Sequence, residues 1–66
     1  MEIKEYMKVK LKTGEMAWID EVLKEGVAYI ADIWQPEDGE SKYRTEQISQ
    51  SDIQSIVIEV EKPLNA

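Results

Sequence analysis

The chain contains no cysteine, no histidine and no phenylalanine, and a single arginine, Arg44. Without cysteine there can be no disulfide, and without cysteine and histidine there can be no Cys/His zinc site. The commonest general base and the commonest low-pKa nucleophile are missing together. The remaining nucleophile patterns, Ser-x-x-Lys and Gly-x-Ser-x-Gly, do not occur either. The three glycines, Gly14, Gly26 and Gly39, lie far apart in separate turns and form no phosphate-cradling loop. The expectation is a non-catalytic chain with no cofactor and no metal. No stretch approaches the roughly 18 apolar residues of a membrane span. Met1–Glu5 has no apolar segment of the kind a signal peptide carries. A cytoplasmic protein is expected, and the lack of cysteine fits a reducing compartment.

What is present is short and acidic. Sixty-six residues suffice for one domain. A chain of about 60 residues buries only about 60% of the surface its unfolded form exposes, so small folds lean on an efficient core or on self-association. Fourteen acidic residues against eight basic ones give a net charge of −6. That charge favours solubility and opposes general affinity for nucleic acid, which depends on Lys and Arg neutralising phosphates. The distribution is uneven. Residues 1–12 carry four lysines against Glu2 and Glu5, a local +2, which leaves −8 on the remainder. A basic strand facing an acidic remainder suits intramolecular pairing or contacts between chains.

The pattern along the chain is that of short strands. Met7, Val9 and Leu11 alternate with Lys8, Lys10 and Lys12, a period of two that marks a half-buried strand. Residues 1–6 are an arm, flexible or helical, and Thr13-Gly14 is a turn. Glu15–Leu23 is the second strand, with Met16, Trp18 and Val22 on one face and Ala17, Ile19 and Leu23 on the other. Asp20 and Glu21 interrupt both series, which predicts a bulge or strong bend. Lys24-Glu25-Gly26 closes a hairpin, and Gly26 is free to take positive φ. Val27–Trp34 is the third strand. Gln35–Glu40 is a wet turn built on Pro36 and Asp38-Gly39. Ser41–Gln47 is a charged strand suited to a sheet edge. Ser49–Asp52 is one turn of 3₁₀ helix capped by Ser51 or Asp52, and Ile56–Val60 is the last strand, with residues 62–66 a tail.

Five short strands with a one-turn helix before the last predict an all-β, small five-stranded barrel. Over residues 7–61 the order resembles the SH3-like class of small barrels. The resemblance rests on strand spacing and carries no signature motif. That class hosts peptide binders, nucleic-acid binders and assembly modules, so the resemblance fixes no function. The expected core is Met7, Val9, Leu11, Trp18, Val22, Val27, Tyr29, Ala31, Ile33, Ile56 and Ile58, although both faces of the second and third strands are apolar enough to qualify.

The third strand carries the main functional signal. Val27, Tyr29, Ala31 and Ile33 share one face, and Ala28, Ile30 and Trp34 share the other with Asp32. A strand apolar on both faces needs cover on both sides, and a chain this small supplies one layer. Trp34, Ile30 and Ala28, with Pro36, Glu37 and Asp38 of the adjoining loop, are therefore the candidate partner-binding residues. Tryptophan is enriched at interfaces. The expected function is a protein-interaction or assembly module whose partner includes a second copy of itself, a homodimer. Two alternatives compete. Lys8, Lys10 and Lys12, with Lys42 and Arg44, form stripes that a phosphate backbone would follow, but the net charge and the single arginine favour a solvated face protected by lysine. Glu46, Asp52, Glu59, Glu61 and the loop acids would suit an acidic inhibitor that mimics nucleic acid, against ordinary surface acidity. Glu37-Asp38-Gly39-Glu40 has oxygen ligands for a hard cation but lacks EF-hand spacing. The turn dipeptide Asp38-Gly39 alone accounts for it.

Overall fold

The computed structural model describes residues 2–35 and 42–58. They form β1 (Lys8–Leu11), β2 (Met16–Lys24), β3 (Ala28–Trp34), β4 (Tyr43–Ser49), a 3₁₀ turn η1 (Gln50–Asp52) and β5 (Ile53–Ile58). All strand pairs are antiparallel in one sheet of order β4-β3-β2-β1-β5. The sheet is not closed: β4 and β5 are its two edges, and no ladder joins them among the described residues. The fold is therefore all-β as expected, in five strands and one 3₁₀ turn. No helix among the described residues is long and apolar enough to cross a membrane.

One face of the sheet makes the core. Val9, Leu11, Ala17, Ile19, Tyr29, Ala31, Ile33, Ile48 and Ile53 are buried there, joined by Ile3 and Met7 from the segment before β1. Cross-strand register explains the selection. Val9 pairs with Ala17, Ala17 with Ile33, and Ile19 with Ala31, and directly opposed residues share a face. Once Val9 points inward, Ala17 and Ile19 must follow, and Met16 and Trp18 must point out. Trp18 is therefore not a core residue. It is half-buried on the opposite face.

The interruption at Asp20 is a bulge. Ile19 pairs with Ala31 and Glu21 with Ile30, so Asp20 is an extra residue with no opposite number. The bulge inverts the alternation. Val22 returns to the core side, where it packs against the cluster, while Leu23 is exposed. Two further expected core positions lie outside it. Val27, at the hairpin before β3, is 48% exposed, and Ile58 is 39% exposed on the outer face beside Lys8. Ile56 packs against the core from its rim.

The segment before β1 is held in place. The Tyr6 amide donates to the Ile19 carbonyl at 2.8 Å, the Ile19 amide to the Met7 carbonyl at 2.9 Å, and Tyr6 sits at φ 68. At the other end, the fully buried Tyr29 ties two turns together. Its hydroxyl accepts from the Gly26 amide at 3.1 Å and donates to Gln50 Oε1 at 2.5 Å. The Gln50 amide also donates to the Val27 carbonyl at 2.8 Å. Gly26 closes this hairpin at φ +74, a region open to glycine. The residue before η1 is Ser49, not Ser51. Its amide donates to Asp52 Oδ2 at 2.9 Å, and this bond holds the Asp52 carboxyl below its usual pKa.

Candidate functional surface

The second face of the sheet is where the unabsorbed apolar residues collect. β3 alternates strictly, with Tyr29, Ala31 and Ile33 buried and Ala28, Ile30, Asp32 and Trp34 half-buried on the other side. The structure thus keeps Trp34, Ile30 and Ala28 together on one face and out of the core. Pro36, Glu37 and Asp38 lie outside the described residues, as does the Glu37–Glu40 acidic turn.

Neighbouring strands enlarge this patch. Trp18 from β2 and Trp34 from β3 both pack on Tyr43 from β4. The Trp18–Tyr43 ring centroids are 5.6 Å apart at 78°, and the Trp34–Tyr43 centroids 5.2 Å apart at 60°. Edge-to-face pairs at this spacing are favourable ring contacts. The three rings thus make one continuous aromatic surface. Lys8 approaches from β1, with Nζ 4.8 Å from the Trp18 ring centroid. Tyr43 and Trp18 were not among the expected surface residues. Tyr43 sits in a strand that otherwise reads as polar, and only register brings it beside the tryptophans.

Acidic groups occupy the same face. Thr45 Oγ1 donates to Asp32 Oδ1 at 2.5 Å. The bulge brings Asp20 against Asp32. Its pKa is pushed up to about 6, first by desolvation, then by a hydrogen bond with Asp32 and by repulsion from it. Two carboxyls in one place on a half-apolar face are an electrostatic liability for the isolated chain.

Arg44, Glu15, Glu46 and Asp52 are engaged elsewhere. Arg44 pairs with Ile33 across β3–β4, so it belongs to the rim of the core and not to the lysine face. It binds both oxygens of Glu15, at 3.1 and 3.2 Å, and donates to Gln35 Oε1 at 2.8 Å and to Glu46. That bidentate contact, followed by the Thr13 hydroxyl, holds the Glu15 carboxyl below its usual pKa. The two basic stripes are therefore not one track: Lys8 and Lys10 share the aromatic face, and Arg44 does not. Among the acids suggested for mimicry, Glu46 is bound to Arg44 and Asp52 to Ser49, and Glu59 and Glu61 lie outside the described residues. No group of three or more His, Cys, Asp or Glu side chains among the described residues converges as a metal site would. A shallow depression between the segment before β1 and the β2–β3 turn is open, with Ile3, Tyr6 and Val22 in its lining and charge of both signs around it, Lys4 beside Glu2, Glu5 and Glu25.

No known protein family, characterised protein or solved structure matches this chain.

Proposed function

We propose that the chain is a non-catalytic interaction or assembly module that docks a protein partner on the outer face of its sheet. The observation that carries this reading is the joining of Trp18, Trp34 and Tyr43 from three strands into one half-exposed aromatic surface, on the face that also carries Met16 and Ile30. Aromatic anchors of this kind dominate protein interfaces. Among the described residues, the opposite face is buried by the chain's own side chains and no second layer covers this one. In fold terms we read the sheet as a small SH3-like barrel. The strand order β5-β1-β2-β3-β4 and the 3₁₀ turn before β5 support that assignment. A reducing, cytoplasmic setting suits a chain without cysteine.

The test is a comparison of Trp34→Ala and Trp18→Ala with the wild type for retention of partners, including the chain itself, by the immobilised protein. Both variants should keep the fold, read by circular dichroism, and lose the partner. Folded variants that retain every partner would remove the reading.

A second reading has one observation in its favour. Lys8 and Lys10 lie on the same face as the three aromatic rings, an arrangement that suits stacking and backbone contacts with a single-stranded nucleic acid. It predicts steeply salt-dependent binding to a short oligonucleotide. Absence of binding at low salt rejects it.

A further inference from the structure

We propose that the outer face binds a second copy of the chain about a two-fold axis running along β2, so that Lys8 of each chain meets Asp32 of the other. This rests on the reading of that face as a docking surface and names its occupant.

The sheet register supplies the geometry. One row across the outer face runs Ile58, Lys8, Trp18, Asp32, Thr45, from β5 to β4. Adjacent strands are about 4.8 Å apart. A cation and a carboxylate therefore flank Trp18 at about one strand spacing on either side. A face that packs on its own copy makes an isologous contact, whose two-fold axis lies in the plane between the sheets. For two sheets packed with their strands aligned, that axis runs either across the strands or along them. An axis across the strands sets each strand over its own copy, with lysine facing lysine and the Asp20–Asp32 pair facing itself. An axis along β2 exchanges β1 and β3. Lys8 then faces Asp32, Trp18 faces Trp18, and Lys10 faces the β3 side that holds Trp34. Packed sheets lie about 10 Å apart, a gap that two tryptophans fill and a lysine can cross. Charge complementarity thus selects one arrangement out of two.

The acidic pair supports the same choice. Asp20 and Asp32 repel one another, and Asp32 already takes the Thr45 hydroxyl. The chain's own Lys8 is held over the Trp18 ring, with Nζ 4.8 Å from its centroid. A lysine arriving from a second chain would supply the positive charge that this pair calls for.

Charge reversal gives a test with opposite outcomes for singles and mixture. Lys8→Asp leaves two acids facing each other across the axis, and Asp32→Lys leaves two lysines. Sedimentation equilibrium at low salt should show a wild-type dimer and a dissociation constant raised about tenfold or more in each variant alone. An equimolar mixture of the two should recover dimerisation, because the new carboxylate at position 8 of one chain then meets the new ammonium at position 32 of the other. Circular dichroism checks that both variants fold. A second measurement needs no variant: zero-length carbodiimide coupling of mixed ¹⁴N and ¹⁵N wild-type chains should give a hybrid-mass crosslink between Lys8 and Asp32 or Asp20. Singles that dimerise like the wild type, a mixture that stays monomeric, or hybrid crosslinks that avoid these residues would overturn the proposal. A monomeric wild type whose Trp34→Ala variant loses a different protein would also overturn it, while leaving the docking surface itself intact.

Discussion

Tyr29→Phe should destabilise the chain by about 1–2 kcal/mol, because the lost hydroxyl joins two turns of the fold. Tyr29 is fully buried, and its hydroxyl both accepts from the Gly26 amide and donates to Gln50 Oε1. The substitution keeps the ring, so no cavity opens and the loss is confined to two hydrogen bonds. Each is worth about 0.5–1.5 kcal/mol net, and more if the abandoned group is buried. Gly26 is exposed, so water can take its amide, while Gln50 is half-buried and is left worse off. The sum therefore falls toward the lower part of the range. For a domain of this size with a urea slope of about 1 kcal/mol/M, the midpoint should drop by about 1–2 M. Urea unfolding followed by tryptophan emission measures it. A double-mutant cycle with Gln50→Ala should show strong non-additivity, since both changes remove one shared contact. An unchanged midpoint, or full additivity, would refute the claim that this hydroxyl joins the β2–β3 hairpin to η1.

Two further outcomes follow from the same structure. Ile19→Ala should cost about 3–4 kcal/mol, as deletion of a fully buried β-branched side chain does, whereas Trp18→Ala should cost clearly less despite removing a larger group. The reverse order in urea midpoints would return Trp18 to the core. Asp20→Asn should flatten the pH dependence of stability. In the folded chain the Asp20 pKa is about 6 against 3.8 ordinarily, so the folded state binds the proton more tightly, and its stability falls as pH rises from about 4 through 6. Solvent screening at this exposed residue limits the effect to below about 1 kcal/mol. Midpoints at two pH values, one near the lower and one above the upper end of that window, should therefore differ less in the variant than in the wild type. An identical difference would mean that the Asp20–Asp32 contact does not persist.

Much of this fold is legible along the chain because alternation and turn residues are local. Met7–Lys12 announces β1, and Asp20-Glu21 announces the bulge. What alternation could not decide was which face of β2 turns inward, because Met16 and Trp18 are as apolar as Ala17 and Ile19. The answer lies in the pairing with Val9 and Ile33, which is non-local. The bulge compounded the ambiguity: read as a bend, it left Val22 grouped with Trp18, whereas an inserted residue puts Val22 with Ile19. Ile48 and Ile53 are isolated among polar or charged neighbours, so no periodic signal marks them, and Ile3 continues the odd-numbered series of Met7, Val9 and Leu11 only across Glu5; all three are buried by tertiary contact. The same limit applies to the candidate surface. Trp34, Ile30 and Ala28 stand out on one strand, but Trp18 and Tyr43 join them only once three strands are laid in register.

Whether another protein covers the outer face of the sheet is tested most directly by a photo-crosslinking amino acid placed at Gln47, in the cells that make the protein. Gln47 is exposed and lies opposite Ile30 on that face. A control at Thr13, exposed in the β1–β2 turn, reports the other end of the molecule. The expected result is a discrete crosslinked protein from position 47, reduced by Trp34→Ala and not obtained from position 13. Crosslinks from position 13 with none from position 47 would contradict a covered outer face.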